Sequence, residues 1–177
     1  GRTTVLGEDD AWTYPNGHRV GHAEFMPTKL FVTGESVRDY VVNARDLALN
    51  PYRDNANSVA VPGDSTIPRL LWPLREILRR RTVFGKTFAD RGLPWWSHLE
   101  SYSTKLLTPL SITFAYVATH NHFAFDRGGA RVFNRHAPVI KLPAGATEDD
   151  HLDLLGVLNS STACFWLKQV SHDKWTQ

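Results

Sequence analysis

Apolar positions along the chain follow two periods, and each marks a kind of element. Between Ile67 and Arg81, Leu70, Leu71, Leu74, Ile77 and Leu78 recur at three- and four-residue steps, which predicts a helix. Pro68 suits its first turn, Ser65 or Thr66 its cap, and Pro73 should kink or split it. Arg75, Glu76, Arg79 and Arg80 take the other face. Further along, Leu110, Ile112, Phe114, Tyr116 and Ala118 alternate with smaller or polar neighbours, so 110–125 read as strands. Asp126-Arg127-Gly128-Gly129 then predicts a hairpin turn, with 131–142 as the return strand. Lys29 to Thr33 and Leu47 to Tyr52 are shorter strand candidates, the second ending at Asn50-Pro51. Val37 to Val42 fits a strand or one helical turn, and Val83 to Lys86 turns on Gly85.

Near the end of the chain, Thr147-Glu148-Asp149-Asp150 is a helix start, with Thr147 as cap and acids on the positive end of the dipole. That helix carries Leu152, Leu154, Leu155 and Leu158; Asn159-Ser160-Ser161 breaks it or begins a second helix, Thr162 to Val170. Residues 53–66 form a polar loop, and 1–28 are irregular. Strands and helices mix without regular βαβ alternation, so the fold class is α+β: one domain with a β-hairpin and C-terminal helices. Three stretches follow: a lead-in over 1–33, a main domain over 34–146, and a helical segment over 147–177 that packs on it.

The 177 residues suffice for one domain with a real core, and the formal net charge is only +2. That charge is uneven. Residues 67–141 hold twelve Lys/Arg against four Asp/Glu, while the flanks on both sides are acidic. A basic middle between acidic flanks is the footprint of a polyanion-binding surface, or of charges scattered over a solvated face. Arg79, Arg80 and Arg81 end the predicted helix, where cations also complement its dipole; three in a row, followed by Lys86, exceed what the dipole needs. Arg127, Arg131 and Arg135 flank the predicted hairpin turn. Arginine pairs bidentately with phosphate and with guanine O6/N7, so such a loop suits a major groove.

His120-Asn121-His122 places two imidazoles on one strand face, as metal ligands sit. No acid or second cysteine follows at a metal spacing, so no metal is assigned. His120, Asn121 and His122 read as hydrogen-bonding side chains at a strand end, free to meet a base edge or to hold a local turn. Trp95, Trp96 and Tyr102 suit stacking on bases, and suit a core better. Methyl transfer from S-adenosylmethionine needs a glycine-rich strand-to-helix turn, and none is present; Gly128-Gly129 lies in the hairpin turn. Asn50-Pro51-Tyr52 lacks the second proline of an adenine-methylation tetrapeptide and reads as a strand ending in a turn. No catalytic residue is assigned. The single cysteine, Cys164, cannot form an internal disulfide, which suits a reduced, cytoplasmic setting. No stretch is long and apolar enough to be a membrane helix. The missing initiator Met and the helical spacing of the last residues suggest a piece of a larger protein.

Several segments carry a family resemblance. Gly34-Glu35-Ser36-Val37-Arg38-Asp39-Tyr40 resembles the opening of the specificity region in type IIG and related adenine methyltransferases. Leu49-Asn50-Pro51-Tyr52, Leu70-Leu71-Trp72 through Arg79-Arg80-Arg81 with Trp95-Trp96, Pro109 to Phe114, and Leu154-Leu155-Gly156-Val157-Leu158-Asn159-Ser160 are similar to the blocks that follow it, in the same order. Thr113 to Phe123, Ala137 to Pro143, Thr147 to Leu152 and Cys164 to Gln169 look like the phage-growth-limitation methyltransferases of type 2 BREX systems. The resemblance implies the target-recognition region of a bacterial phage-defence, restriction-modification-type enzyme. Its full-length form methylates adenine N6 with S-adenosylmethionine; the cofactor motifs lie upstream, so this stretch needs no cofactor of its own. The implied partners are double-stranded DNA and other subunits of the defence system.

Overall fold

The computed structural model describes residue 7 and residues 9–14, 28–52, 66–101, 110–128 and 131–171. Strands and helices are both present, in an α+β arrangement of small sheets and short helices. In one sheet β1 (Thr13–Tyr14), β5 (Leu47–Leu49), β2 (Thr28–Val32) and β10 (Arg131–Phe133) lie side by side in that order. Only the β2–β10 pair is parallel. A second sheet, antiparallel throughout, orders β11 (Val139–Ile140), β8 (Ser111–Phe114) and β9 (Phe123–Asp126). Two short hairpins add β3 (Val37–Arg38) with β4 (Val41–Val42), and β6 (Thr82–Val83) with β7 (Lys86–Thr87). Val37 to Val42 is thus a strand that reverses: Tyr40 adopts a positive φ of 65° and lets the chain fold back.

Alternation along β2 and β10 decides where the core lies. Phe31 pairs with Val132 and faces one side; Val32 pairs with Phe133 and faces the other. The first side packs with Trp12, Leu49, Ile67, Leu71 and Leu78, and the second with Val37, Ala124, Ala137 and Val139. A polar residue at any of these four strand positions would open one core or the other. Gly34 lies beside the second core, where an added Cβ would stand 2.6 Å from the His136 carbonyl oxygen. Only a residue without a side chain fits that approach.

Pro73 splits the long helix as its missing N–H requires. The segment runs as α2 (Thr66–Leu70), a 3-10 turn over Trp72–Leu74, and α3 (Arg75–Arg79). The tighter 3-10 winding rotates α3 relative to α2, so the expected single apolar stripe does not survive. Ile67, Leu71 and Leu78 are buried, whereas Trp72 and Ile77 are exposed. The hairpin at 126–129 is corrected. β9 pairs with β8, not with the strand after the turn, and β10 leaves for the other sheet. The actual hairpin is β8–β9, closed by residues 115–122. Alternation identifies strands but says nothing of their partners, and β10 reaches a second buried face by crossing between sheets. The 53–66 loop, apart from Thr66, lies outside the described residues, as does Tyr102.

The C-terminal helices, α4 (Glu148–Leu158) and α5 (Ser161–Val170), cover the second sheet through a third core built on Ile112, Phe123 and Leu155. Thr147 and Asp150 form the expected capping box: the Thr147 N–H and hydroxyl donate to Asp150 Oδ2, and the Asp150 N–H donates to Thr147 Oγ1. Those hydrogen bonds hold the Asp150 carboxyl below the usual range. Ser160 caps α5, accepting from the Ala163 N–H at 3.1 Å. Asn159, between the helices, accepts from the Phe123 N–H at 3.0 Å and donates to the Phe123 carbonyl at 2.9 Å. One amide therefore completes the strand edge and fixes both helices to it. Asn159→Ala should cost about 2 kcal/mol, because the buried Phe123 N–H loses its partner; urea unfolding of the two proteins would measure the difference.

Candidate nucleic-acid interface

Arg79, Arg80, Arg81 and Lys86 lie close in sequence, yet the fold buries Arg81 and leaves the other three exposed. α3 ends at Arg79 and the chain then turns into β6, so Arg81 points inward and is 8% exposed. Its Nε donates to the Leu78 carbonyl at 2.9 Å, and its Nη2 donates to the Trp95 and Ser97 carbonyls at 2.7 and 2.8 Å. Nη1 donates to the Gly7 carbonyl at 3.3 Å. The guanidinium lies 4.4 Å from the Phe88 ring centroid and 5.8 Å from that of Trp12. The expectation that Arg81 meets phosphate is corrected: its donors are committed to carbonyls of its own chain. Arg79 remains exposed beside Glu76, 3.5 Å away, in a contact shared with Arg75; Arg80 and Lys86 are exposed. Trp95 and Trp96 are half-buried against the first core, as the core reading of those aromatics held.

His98 sits in the same pocket, and sequence reading passed over it because a lone histidine after an aromatic pair has no distinguishing pattern. It is fully enclosed between Trp12 and Tyr52, in edge-to-face contact with both rings. Its Nε2 lies 2.8 Å from the Leu49 carbonyl, an oxygen that only accepts, so Nε2 carries the proton. Nδ1 has no partner. Burial pushes its pKa down to about 4, the Leu49 hydrogen bond opposes this, and the Arg81 charge adds to it. The Tyr52 hydroxyl accepts from the His98 N–H at 2.9 Å and is pushed up to about 12 by burial. Asn50, part of the tetrapeptide-like segment, donates to the Tyr52 carbonyl at 3.1 Å, which makes it a turn residue.

The 120–135 candidates separate as well. Asn121 precedes β9 and Arg127 follows it, so about 20 Å of extended chain lies between them. They do not share one loop. Asn121 Nδ2 donates to the Leu158 carbonyl and, at 3.3 Å, to the Ser160 carbonyl, which ties the β8–β9 loop to the helix junction. His122 Nδ1 is 2.8 Å from Asp39 Oδ1, joining that loop to the β3–β4 turn. Of the two readings open for this triplet, the local one describes Asn121 and His122. His120 is exposed, with Nδ1 3.0 Å from its neighbour Thr119. Among the described residues, no group of three His, Cys, Asp or Glu side chains is placed to hold a metal.

Arg127 is exposed, pairs with Glu148 in the first turn of α4, and lies over the Phe125 ring at 4.9 Å. Arg131, on β10, pairs with the buried Asp126. That contact neutralises a carboxylate which would otherwise be enclosed alone. Arg135 is exposed, its Nε 3.2 Å from His136 Nε2. Of the candidate cations, those facing solvent are therefore Arg79, Arg80, Lys86, Arg127 and Arg135, on two separate parts of the chain. No described helix is long and apolar enough to cross a membrane.

Two measurements check these assignments. Arg81→Ala should lose at least about 3 kcal/mol, since it strands several carbonyls and empties the space between two rings, while Arg80→Ala should stay within about 0.5 kcal/mol; chemical denaturation reads both. His98 folds neutral with a lowered pKa, so its contribution is complete above pH 6.5 and is lost as pH falls from 6.5 to about 4. The loss should approach about 3 kcal/mol. His98→Gln keeps a donor for Leu49 and does not titrate, so the gap between the two proteins should close as pH falls through that window.

No protein-family model matches the chain. It is 43% identical over 173 residues to the adenine-specific methyltransferase PglX of Streptomyces coelicolor. The match takes in 96% of this chain and 14% of that protein, so the chain spans about one-seventh of the curated relative's length. Nearly the whole chain is thus similar to one segment of that methyltransferase.

Proposed function

We propose that this chain is part of an adenine-specific DNA methyltransferase that serves phage defence, and that its share of the work is to hold duplex DNA at the recognition site. The 43% identity to PglX across almost the entire chain carries this reading. Identity at that level, over 96% of the chain, supports a common fold for this segment. The exposed Arg79, Arg80, Lys86, Arg127 and Arg135 suit phosphate contacts that position a duplex. His120 and Arg135 are the candidates whose side chains have only a sequence neighbour as partner, so they suit contacts to base edges.

S-adenosylmethionine, which such an enzyme uses as its methyl donor, does not fit the described passage from β11 to α4. The passage from β11 to α4 has one described glycine, Gly145, and its helix opens on Glu148, Asp149 and Asp150. Three carboxylates and a single glycine do not make a cofactor cradle. On this reading the methyl-transfer machinery belongs to other parts of the protein. A second reading has its own observation. Phe165, Trp166 and Val170 on α5 are exposed together with Val157, which favours a docking face for another part of the defence assembly.

A gel-shift series on random duplexes at several salt concentrations separates the two. DNA holding predicts an affinity that falls steeply with salt. Replacing Arg79, Arg80 and Lys86 together by Ala should flatten the slope of log affinity against log salt by about 2 to 3. Absence of duplex binding, or an affinity indifferent to salt, would overturn the proposal and leave the docking reading.

A further inference from the structure

The loop that closes the β8–β9 hairpin is held in place without being buried. Residues 116–120, Tyr-Val-Ala-Thr-His, are exposed in succession, with Tyr116 at 66% and Val117 at 49%. The base of the loop is nevertheless fixed on several sides. The Ala115 N–H donates to the His122 carbonyl at 3.1 Å, which closes the loop on itself. The Tyr116 N–H donates to the His136 carbonyl at 3.0 Å, on the turn between β10 and β11. Asn121 reaches the Leu158 carbonyl, and His122 meets Asp39 on the β3–β4 turn. That turn is tied in again by the Tyr40 N–H, which donates to the Phe123 carbonyl at 3.0 Å. None of these ties uses the side chains of Tyr116, Val117, Thr119 or His120.

Fixing a backbone costs conformational entropy, and an exposed tip recovers little of it through burial. A tip already fixed at its base has less freedom to lose when a ligand arrives. Its chemistry narrows the ligand. Residues 115–122 contain no Asp, Glu, Lys or Arg. They offer a phenol, a threonine hydroxyl and an imidazole, together with the methyl groups of Val117. Such groups match the donors, acceptors and thymine methyl that line a major groove, which also admits a two-stranded ribbon. Cations adjoin the anchor points and not the tip: Arg38 precedes Asp39, Arg135 precedes His136, and both arginines are exposed. An uncharged reading tip bracketed by two arginines suits a polyanion better than an apolar protein face.

We infer that the 115–122 loop enters the major groove of a DNA duplex, and that Tyr116, Thr119 and His120 determine which base pairs are read. Arg38 and Arg135 take phosphates beside the loop, while Arg79, Arg80 and Lys86 add affinity that is indifferent to sequence. This rests on the reading of the chain as a DNA-holding element and assigns the selectivity within it. The arginine-flanked turn at 126–129 is less suited to that task, because Arg127 and Arg131 are each paired with an acid.

The test uses the whole chain and a pool of duplexes with a randomised central segment, taken through rounds of binding and recovery. The unaltered chain should enrich one short sequence and bind it roughly tenfold more tightly than the starting pool, or better. Tyr116→Ala, Thr119→Ala and His120→Ala should each lower that ratio or change the base preferred at one position. Their Tm should stay close to that of the unaltered chain, because the three side chains are exposed. Replacing Arg79, Arg80 and Lys86 together by Ala should weaken the enriched duplex and the pool alike and leave the enriched sequence the same. Duplex binding without any preferred sequence, or a preference that all three loop variants keep, removes the loop as reader and leaves DNA holding intact. A Tm several degrees lower in all three would assign the loop to folding and also overturn it. If the unaltered chain binds no duplex, both readings fall together.

Discussion

An enclosed guanidinium organises this protein. Arg81 meets four backbone carbonyls, from Gly7, Leu78, Trp95 and Ser97, and the faces of two rings. Carbonyl dipoles and π faces offset the lost hydration piecemeal, and arginine's planar fork of five donors matches them as a lysine's single ammonium does not. Those carbonyls come from distant parts of the chain, so one side chain holds the end of α3, the tryptophan segment and the N-terminal stretch together. The same positive charge stands near His98 and helps to keep it neutral.

Function then divides along that arrangement. The residue that anchors the basic segment is withdrawn from any ligand, and its neighbours Arg79 and Arg80 stay outside. The β6–β7 hairpin lies between Arg81 and Phe88, which are buried and stacked on each other. Later in the sequence, Arg127 and Arg131 each face an acid, Asn121 and Asn159 tie the β8–β9 hairpin to the helix junction, and His122 joins its loop to the β3–β4 turn. Much of what reads as recognition chemistry along the chain is therefore engaged in holding the second sheet to α4 and α5. The positive surface proposed for DNA is correspondingly smaller than the count of arginines suggests.

Local signals were legible wherever the cause was local. Pro73 breaks its helix because a proline nitrogen has no hydrogen to give; Phe84-Gly85 turns where the glycine allows it; Thr147 and Asp150 cap α4 within four residues. β8 falls in the stretch whose alternation marks strands, and β2 and β5 fall on the shorter strand candidates. Three features were not legible: that β10 pairs with β2, that Arg81 turns inward while Arg80 does not, and that Asn121 reaches the Leu158 carbonyl. Each joins residues far apart in sequence, and residue type is indifferent to which partner arrives.

Taken alone, then, the amino-acid order determined the element types, the helix start and break, the α+β class and the concentration of positive charge in the middle of the chain. These depend on backbone sterics, short-range hydrogen bonds and side-chain period, all of which act within a few residues. Tertiary structure decided which strands pair, which arginines remain in water, and which aromatic ring is left at the tip of a hairpin. Such outcomes depend on desolvation, and whether a group keeps its water is settled only when distant segments close over it.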